Sequence, residues 1–195
     1  MRKSLSIVAV AVLCAKASMA QTPPMPPQTQ DDAVFGSAKA PLAPREADYI
    51  RIVETARKQY AGSRSVDGRK TTRINFQIAV HDFMGLSHNA KGWVGVFKGS
   101  KRTHEGLLSM DIEIAPGVSI STMDNAETDV SYDTLVKPYV PVGKAIGDLS
   151  IGDMVTFSAN LIGSVISTDD DMVLHPQLIA QFSELRKLED TPAKN

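Results

Sequence analysis

The side chains able to do chemistry are few and scattered. Four histidines, His81, His88, His104 and His175, stand far apart. None belongs to an HExxH or H-x-H arrangement that would set two imidazoles on one face for a metal. The single cysteine, Cys14, lies in an apolar leader. No GxSxG elbow or characteristic Ser–His motif is present, so nucleophilic catalysis has no local signature. Asp124, Asn125, Glu127, Asp129 and Asp133 form an oxygen-rich stretch of the ligand type that calcium prefers. The stretch lacks the EF-hand order and its central glycine, and reads as a solvated turn with local side-chain caps. Asp169-Asp170-Asp171 reads as a wet loop of like charges. Lys98, Lys101, Arg102 and His104 form a basic turn beside Phe97 and Trp93. Single-strand nucleic-acid binders combine basic grooves with aromatic platforms in this way. A solvated hairpin tip explains the cluster more simply. One tryptophan is also too few for the aromatic platforms of a sugar cleft that would accompany paired catalytic carboxylates.

These residues must be positioned by the elements around them. Residues 1–20 carry the three parts of a secretory signal. Arg2 and Lys3 are basic, Leu5 to Leu13 are apolar, and Ser18-Met19-Ala20 supplies small residues for cleavage. The apolar run is shorter than the roughly 20 residues a membrane span requires. Bulky Leu13 before Cys14 argues against lipid attachment. Cleavage near Ala20 removes the only cysteine, so the exported chain has no disulfide and no zinc–thiolate site. It also removes Arg2, Lys3 and Lys16 from 21 basic residues, leaving 18 against 22 acidic ones, a net charge of −4. An acidic chain is not built to bind nucleic acid or anionic lipid by charge.

Residues 21–44 are rich in Pro and Gln and read as an extended tether. From 45 to 62, Tyr49, Ile52, Val53, Ala56 and Tyr60 recur at helical spacing, with Glu46 and Asp48 in the first turn to suit the helix dipole. Residues 63–70 read as a polar loop. A strand or short helix follows over 74–83, and the alternation of Ile74, Phe76, Ile78 and Val80 favours the strand. Strands follow at 92–97, at 107–114 with Leu108, Met110, Ile112 and Ile114 on one face, and at 118–122. Pro116-Gly117 is a turn. Residues 123–133 are a polar turn, and 141–149 have the spacing of a short helix. Strands at 154–162 and 178–185 close the chain, and 189–195 is a polar tail.

Trp93-Val94-Gly95, Asp129, Asp133-Thr134-Leu135 and Gly152-Asp153-Met154-Val155-Thr156-Phe157-Ser158 together make a WxG … GDxVxFS pattern. With the hairpin around Pro116-Gly117 and the closing strand after Pro176, this pattern resembles an uncharacterised family of exported bacterial proteins. The resemblance covers most of the chain after Pro44. It implies a mostly β fold, an OB-like small β-barrel over 63–188 with an N-terminal α-helix, and it implies no activity. Some relatives carry a cysteine pair where this chain has none.

The expectation is a periplasmic or secreted, non-catalytic binding or assembly module without cofactor or metal. Its partner is expected to be an envelope protein or small polymer. The partner-binding candidates are Lys98, Lys101, Arg102, Asp124 and Asp129 on two loops of opposite charge. A single-strand nucleic-acid or oligosaccharide binder, and a hydrolase assembled from dispersed His and Asp, stay open as alternatives.

Overall fold

The computed structural model describes residues 41–164 and 170–188. The expected signal at 1–20, the tether up to residue 40, Asp169 and the tail at 189–195 lie outside the described residues. Two long helices come first, α1 (Pro44–Gly62) and α2 (Val66–Leu86). Five strands follow: β1 (Asn89–Arg102), β2 (Leu108–Ala115), β3 (Val118–Ser121), β4 (Met154–Ser164) and β5 (Gln177–Lys187). Short helices α3 (Ala126–Asp129) and α4 (Pro141–Gly147) join β3 to β4, and α5 (Asp171–Leu174) precedes β5. The strands close into a barrel in the order β1-β2-β3-β5-β4, with β4 returning to β1. All neighbours are antiparallel except β3 and β5, which run parallel. This is the OB-like barrel with an N-terminal helix that the sequence resemblance implies.

The barrel interior is filled by the alternating residues of each strand. Met110, Ile112 and Ile114 of β2, Val155, Phe157, Ala159 and Leu161 of β4, and Leu178, Ala180 and Phe182 of β5 are all buried. Period-2 spacing puts such residues on one face of a strand. Trp93 of β1 is fully buried and sits among rings from both layers: Tyr49 (6.3 Å), Phe83 (6.5 Å) and Phe157 (6.3 Å, edge-on). The WxG motif thus begins with the residue that joins the helices to the barrel. Its glycine has a different task. A Cβ on Gly95 would lie 2.5 Å from Ile112 Cγ2 and 2.8 Å from the Glu113 carbonyl oxygen, because β2 crosses close to β1 there. Gly95→Ala is expected to cost about 1–3 kcal/mol, as overpacked sites do, read as a lower melting temperature. An unchanged melting temperature would mean that the two strands are farther apart.

The strand expected over 74–83 is instead the middle of α2. Ser65 begins the helix, its Oγ accepting from the Gly68 amide at 3.0 Å, so the expected polar loop at 63–70 is largely a cap and first turn. The short alternating run satisfied a strand pattern only because Phe76 and Val80 also stand one helical turn apart. Thr72, Phe76, Val80, Phe83 and Met84 are buried at helical spacing, while Ile74 and Ile78 face outward. The barrel therefore starts at Asn89, not at residue 63.

Two arginines fasten this helical layer through carbonyl groups. Arg45 donates from Nη2 to Phe83 O (2.8 Å) and to Ser87 O at the end of α2, with its guanidinium 4.0 Å above the Phe83 ring. A cation is well placed at a helix C-terminus, where carbonyls lack partners. Arg57 donates to Pro116 O (2.8 Å), Gly117 O (3.0 Å), Val173 O (3.4 Å) and Leu174 O (2.5 Å). It ties α1 to the β2–β3 turn and to the end of α5.

Candidate functional site

The two loops singled out by charge spring from one place in the fold. The tip after β1 closes with Thr103 N donating to Leu107 O at 2.8 Å, immediately before β2. The polar loop leaves β3 at Thr122, whose amide donates to Met110 O (3.1 Å), and returns at Val136, which exchanges two hydrogen bonds of 2.8 Å with Leu108. Both loops are therefore rooted on the first residues of β2 and stand at one end of the barrel.

The basic residues are not where the sequence puts them. β1 runs to Arg102, so Lys98, Lys101 and Arg102 are strand residues and the turn proper is 103–107. Lys98 is spent on the barrel wall, in an ion pair of 2.9 Å with Glu113. Glu113 in turn accepts from the Gly117 amide (2.8 Å), and both contacts hold its carboxyl below the ordinary range against a desolvation that would raise it. Arg102 donates to Gly106 O at 3.0 Å, within its own turn. Lys101 is exposed at the head of the pair Lys101–Ser109.

In the polar loop, Asp124 is exposed and accepts from the Asn125 side-chain amide at 2.7 Å. Asn125 caps α3 by accepting from the Thr128 amide (2.9 Å). Asp129 is a correction. It is buried, and its carboxylate accepts from the Thr134 amide (2.7 Å), the Thr134 hydroxyl (2.6 Å) and the Leu135 amide (2.9 Å). A carboxylate so occupied is not available to a partner. Asp133 takes the left-handed backbone conformation (φ 48°) that lets the chain turn back onto it, which Asp tolerates better than most residues. The Asp129 … Asp-Thr-Leu motif is thus a loop lock. The Gly152-Asp153 motif works likewise: Gly152 has φ 96°, and Asp153 accepts from the Ser150 amide (2.8 Å) and pairs with Lys187 (2.8 Å).

Locking the loop leaves other side chains outward. Val130 and Tyr132, between Asp129 and Thr134, are exposed, as are Tyr139 and Ile151. Sequence reading passed over these apolar residues because they sit singly among polar ones. The aromatics expected beside the basic turn are unavailable for stacking: Trp93 and Phe97 are 0% and 2% exposed. All four histidines are exposed, and among the described residues no group of three or more His, Cys, Asp or Glu side chains is placed to hold a metal ion.

The residue that sequence reading most misjudged is Glu46. The helix dipole is the only role the sequence reading gives it, and it is fully buried in the first turn of α1. Its carboxyl accepts from the Val94 amide of β1 with both oxygens (3.1 and 3.2 Å) and from the Ala43 amide (3.3 Å). Burial raises its pKa to about 7, opposed by those amide hydrogen bonds. A signal was present: positions 46, 49, 53, 56 and 60 continue one apolar stripe, with Glu46 at its head.

The chain matches no family model, no curated protein and no solved structure. No helix among the described residues is long and apolar enough to cross a membrane.

Proposed function

We propose that this chain is an exported, non-catalytic binding or assembly module of the cell envelope, related to the WxG … GDxVxFS proteins it resembles. It recognises an envelope protein through the end of the barrel that carries the basic end of β1 and the polar loop. The common root of both loops on β2 carries this reading. Val130, Tyr132, Asp124 and Glu127 of the polar loop and Lys101 and Arg102 at the end of β1 are all exposed, a mixture of apolar and charged side chains of the kind many protein interfaces use. The internal locks add to it, because loops held rigid by Asp129 and Arg102 lose less entropy on binding.

Charge reversal tests the reading. Lys101→Glu with Arg102→Glu is expected to weaken binding to the envelope partner at least tenfold and to lower the association rate, as rim charges do. Adding Lys98→Glu removes the Glu113 pair as well, and is expected to lower stability by about 1 kcal/mol or less, as for an exposed ion pair. Partner affinity unchanged in the triple variant would contradict the proposal.

A further inference from the structure

One edge of β1 is open at the barrel end. β1 pairs with β4 as far as Val96, and Phe97 closes that side, its amide donating to Asp153 O and its carbonyl accepting from the Gly152 amide, both at 2.8 Å. Beyond Phe97, β1 runs on to Arg102 paired with β2 alone. The register shows which backbone groups are left over. Leu108 commits its amide and carbonyl to Val136, both at 2.8 Å. Met110 commits its own to Thr122, at 3.0 and 3.1 Å. Neither can then bond the residue opposite it on β1. Opposite residues of an antiparallel pair alternate between bonded and non-bonded. Arg102, opposite Leu108, and Ser100, opposite Met110, therefore turn their amides and carbonyls away from β2. Lys101 between them faces β2, its carbonyl accepting from the Ser109 hydroxyl at 3.4 Å. Among the described residues no backbone group meets Ser100 or Arg102 on the outer side, and both residues are exposed.

Such an edge is a template for a further strand. Its surroundings say which strand fits. Lys101 and Arg102 are exposed, and neither has an acidic ion-pair partner among the described residues. The acids flanking the edge are committed, Glu113 to Lys98 (2.9 Å) and Asp153 to Lys187 (2.8 Å). Arg102 reaches only the Gly106 carbonyl, which leaves its charge unbalanced. Cations along an edge keep out a second copy of the same edge, because like charges placed opposite each other repel, and they attract an acidic strand. At the inner end, Ile151 is 76% exposed and its side chain lies 3.7 Å from where a Cβ on Gly99 would stand. An apolar side chain opposite Gly99 would cover it.

We propose that the open edge of β1 binds an extended acidic segment of the envelope partner by strand addition. The segment runs antiparallel to β1, bonds to the backbone of Ser100 and Arg102, and places acids opposite Lys101 and Arg102 and an apolar residue against Ile151. Strand addition presupposes recognition at the barrel end, and it gives that partner a chemistry.

The test is amide hydrogen exchange and nuclear magnetic resonance on the isotope-labelled protein, titrated with a capped peptide of sequence Thr-Glu-Glu-Thr-Val-Thr. In the free protein the Ser100 and Arg102 amides are expected to exchange at close to open-chain rates. Saturation with the peptide is expected to slow both at least tenfold. The counterpart Thr-Lys-Lys-Thr-Val-Thr is expected to bind at least tenfold more weakly. Ser100→Pro deletes one outward amide and no bond to β2, a position where a sheet tolerates proline. That variant is expected to keep its circular dichroism spectrum and to bind the acidic peptide at least tenfold more weakly. No slowing in the wild type, equal binding of the two peptides, or a folded Ser100→Pro that binds as the wild type does overturns the proposal. So does protection that grows with protein concentration without peptide, which would give the edge to a second copy. Crosslinking from position 132 to the envelope partner separates the two levels. A product retained in folded Ser100→Pro rejects strand addition alone, whereas its absence in the wild type rejects recognition at the barrel end.

Discussion

Trp93→Ala is expected to lower the unfolding free energy by about 3–5 kcal/mol, the range for removing a large buried aromatic. A typical domain has only about 5–15 kcal/mol in total, so this one change removes a large share of it. The reason is position as well as size. Trp93 is the ring at which Tyr49 of α1, Phe83 of α2 and Phe157 of β4 converge. An alanine there opens a cavity at the joint between the helices and the barrel, where neither layer can collapse without moving the other. Trp93→Phe gives the contrast. The indole Nε1 is buried without a partner, and phenylalanine removes that unpaired donor while keeping most of the ring. The phenylalanine variant is therefore expected to lose less than half of what the alanine variant loses. Urea unfolding followed by circular dichroism measures both, and a constant slope with denaturant confirms that native stability changed. Equal losses in the two variants would mean that the ring is not the joint.

Glu46 is expected to make the wild type less stable as pH rises from 4.5 to 7. Its carboxyl has an ordinary value of 4.5 and a folded value of about 7, raised by burial. Between those values the folded state holds a proton that the unfolded state has released. Stability then falls with rising pH, by about 1.4 kcal/mol per unit and about 3 kcal/mol in all. The contribution is fully present below 4.5 and lost once pH passes 7. Glu46→Gln stays neutral throughout and keeps an oxygen for the Val94 amide. Its Nε2 faces the Ala43 amide, so it gives up about one hydrogen bond, about 1 kcal/mol. The two stability curves are expected to cross: the variant weaker at pH 5 by about 1 kcal/mol, and stronger at pH 8 by about 2 kcal/mol. Asp111 is raised by desolvation, and Glu113 and Asp153 are held low by their partners, in both proteins. Their slopes cancel in the difference. Parallel curves would mean that Glu46 ionises freely in the folded state.

What the sequence displayed, and what it hid, follows from the range of the interactions involved. Strands β2 and β4 were legible because one face of each is buried, and period 2 writes that face directly into the residues. The short helix α4 was legible from its spacing and the proline at its start. Helix α2 was hidden because its central residues fit both periods. The deciding information sat at its edges, in the Ser65 cap and in Phe83 and Met84. Barrel closure through the parallel β3–β5 pair joins residues 119–121 to 177–179, and no local pattern reports such a pairing. It was reachable only through the resemblance. Among the site residues, charge located both loops, but charge does not tell a free side chain from a committed one. Lys98 is held by a strand neighbour, and Asp129 by residues five and six positions onward. Residue type misread Glu46 because a glutamate in a first turn has an ordinary explanation in the helix dipole.

Recognition at the barrel end is tested most directly by site-specific photo-crosslinking in the native envelope. A photo-reactive side chain is placed at Tyr132, on the exposed polar loop, or at Ile78, on the outer face of α2. A discrete crosslinked product is expected from position 132, with none of that product from position 78, and it is expected to be lost when Lys101→Glu and Arg102→Glu are added. The same product from both positions, or one from position 132 that survives the charge reversal, would contradict it.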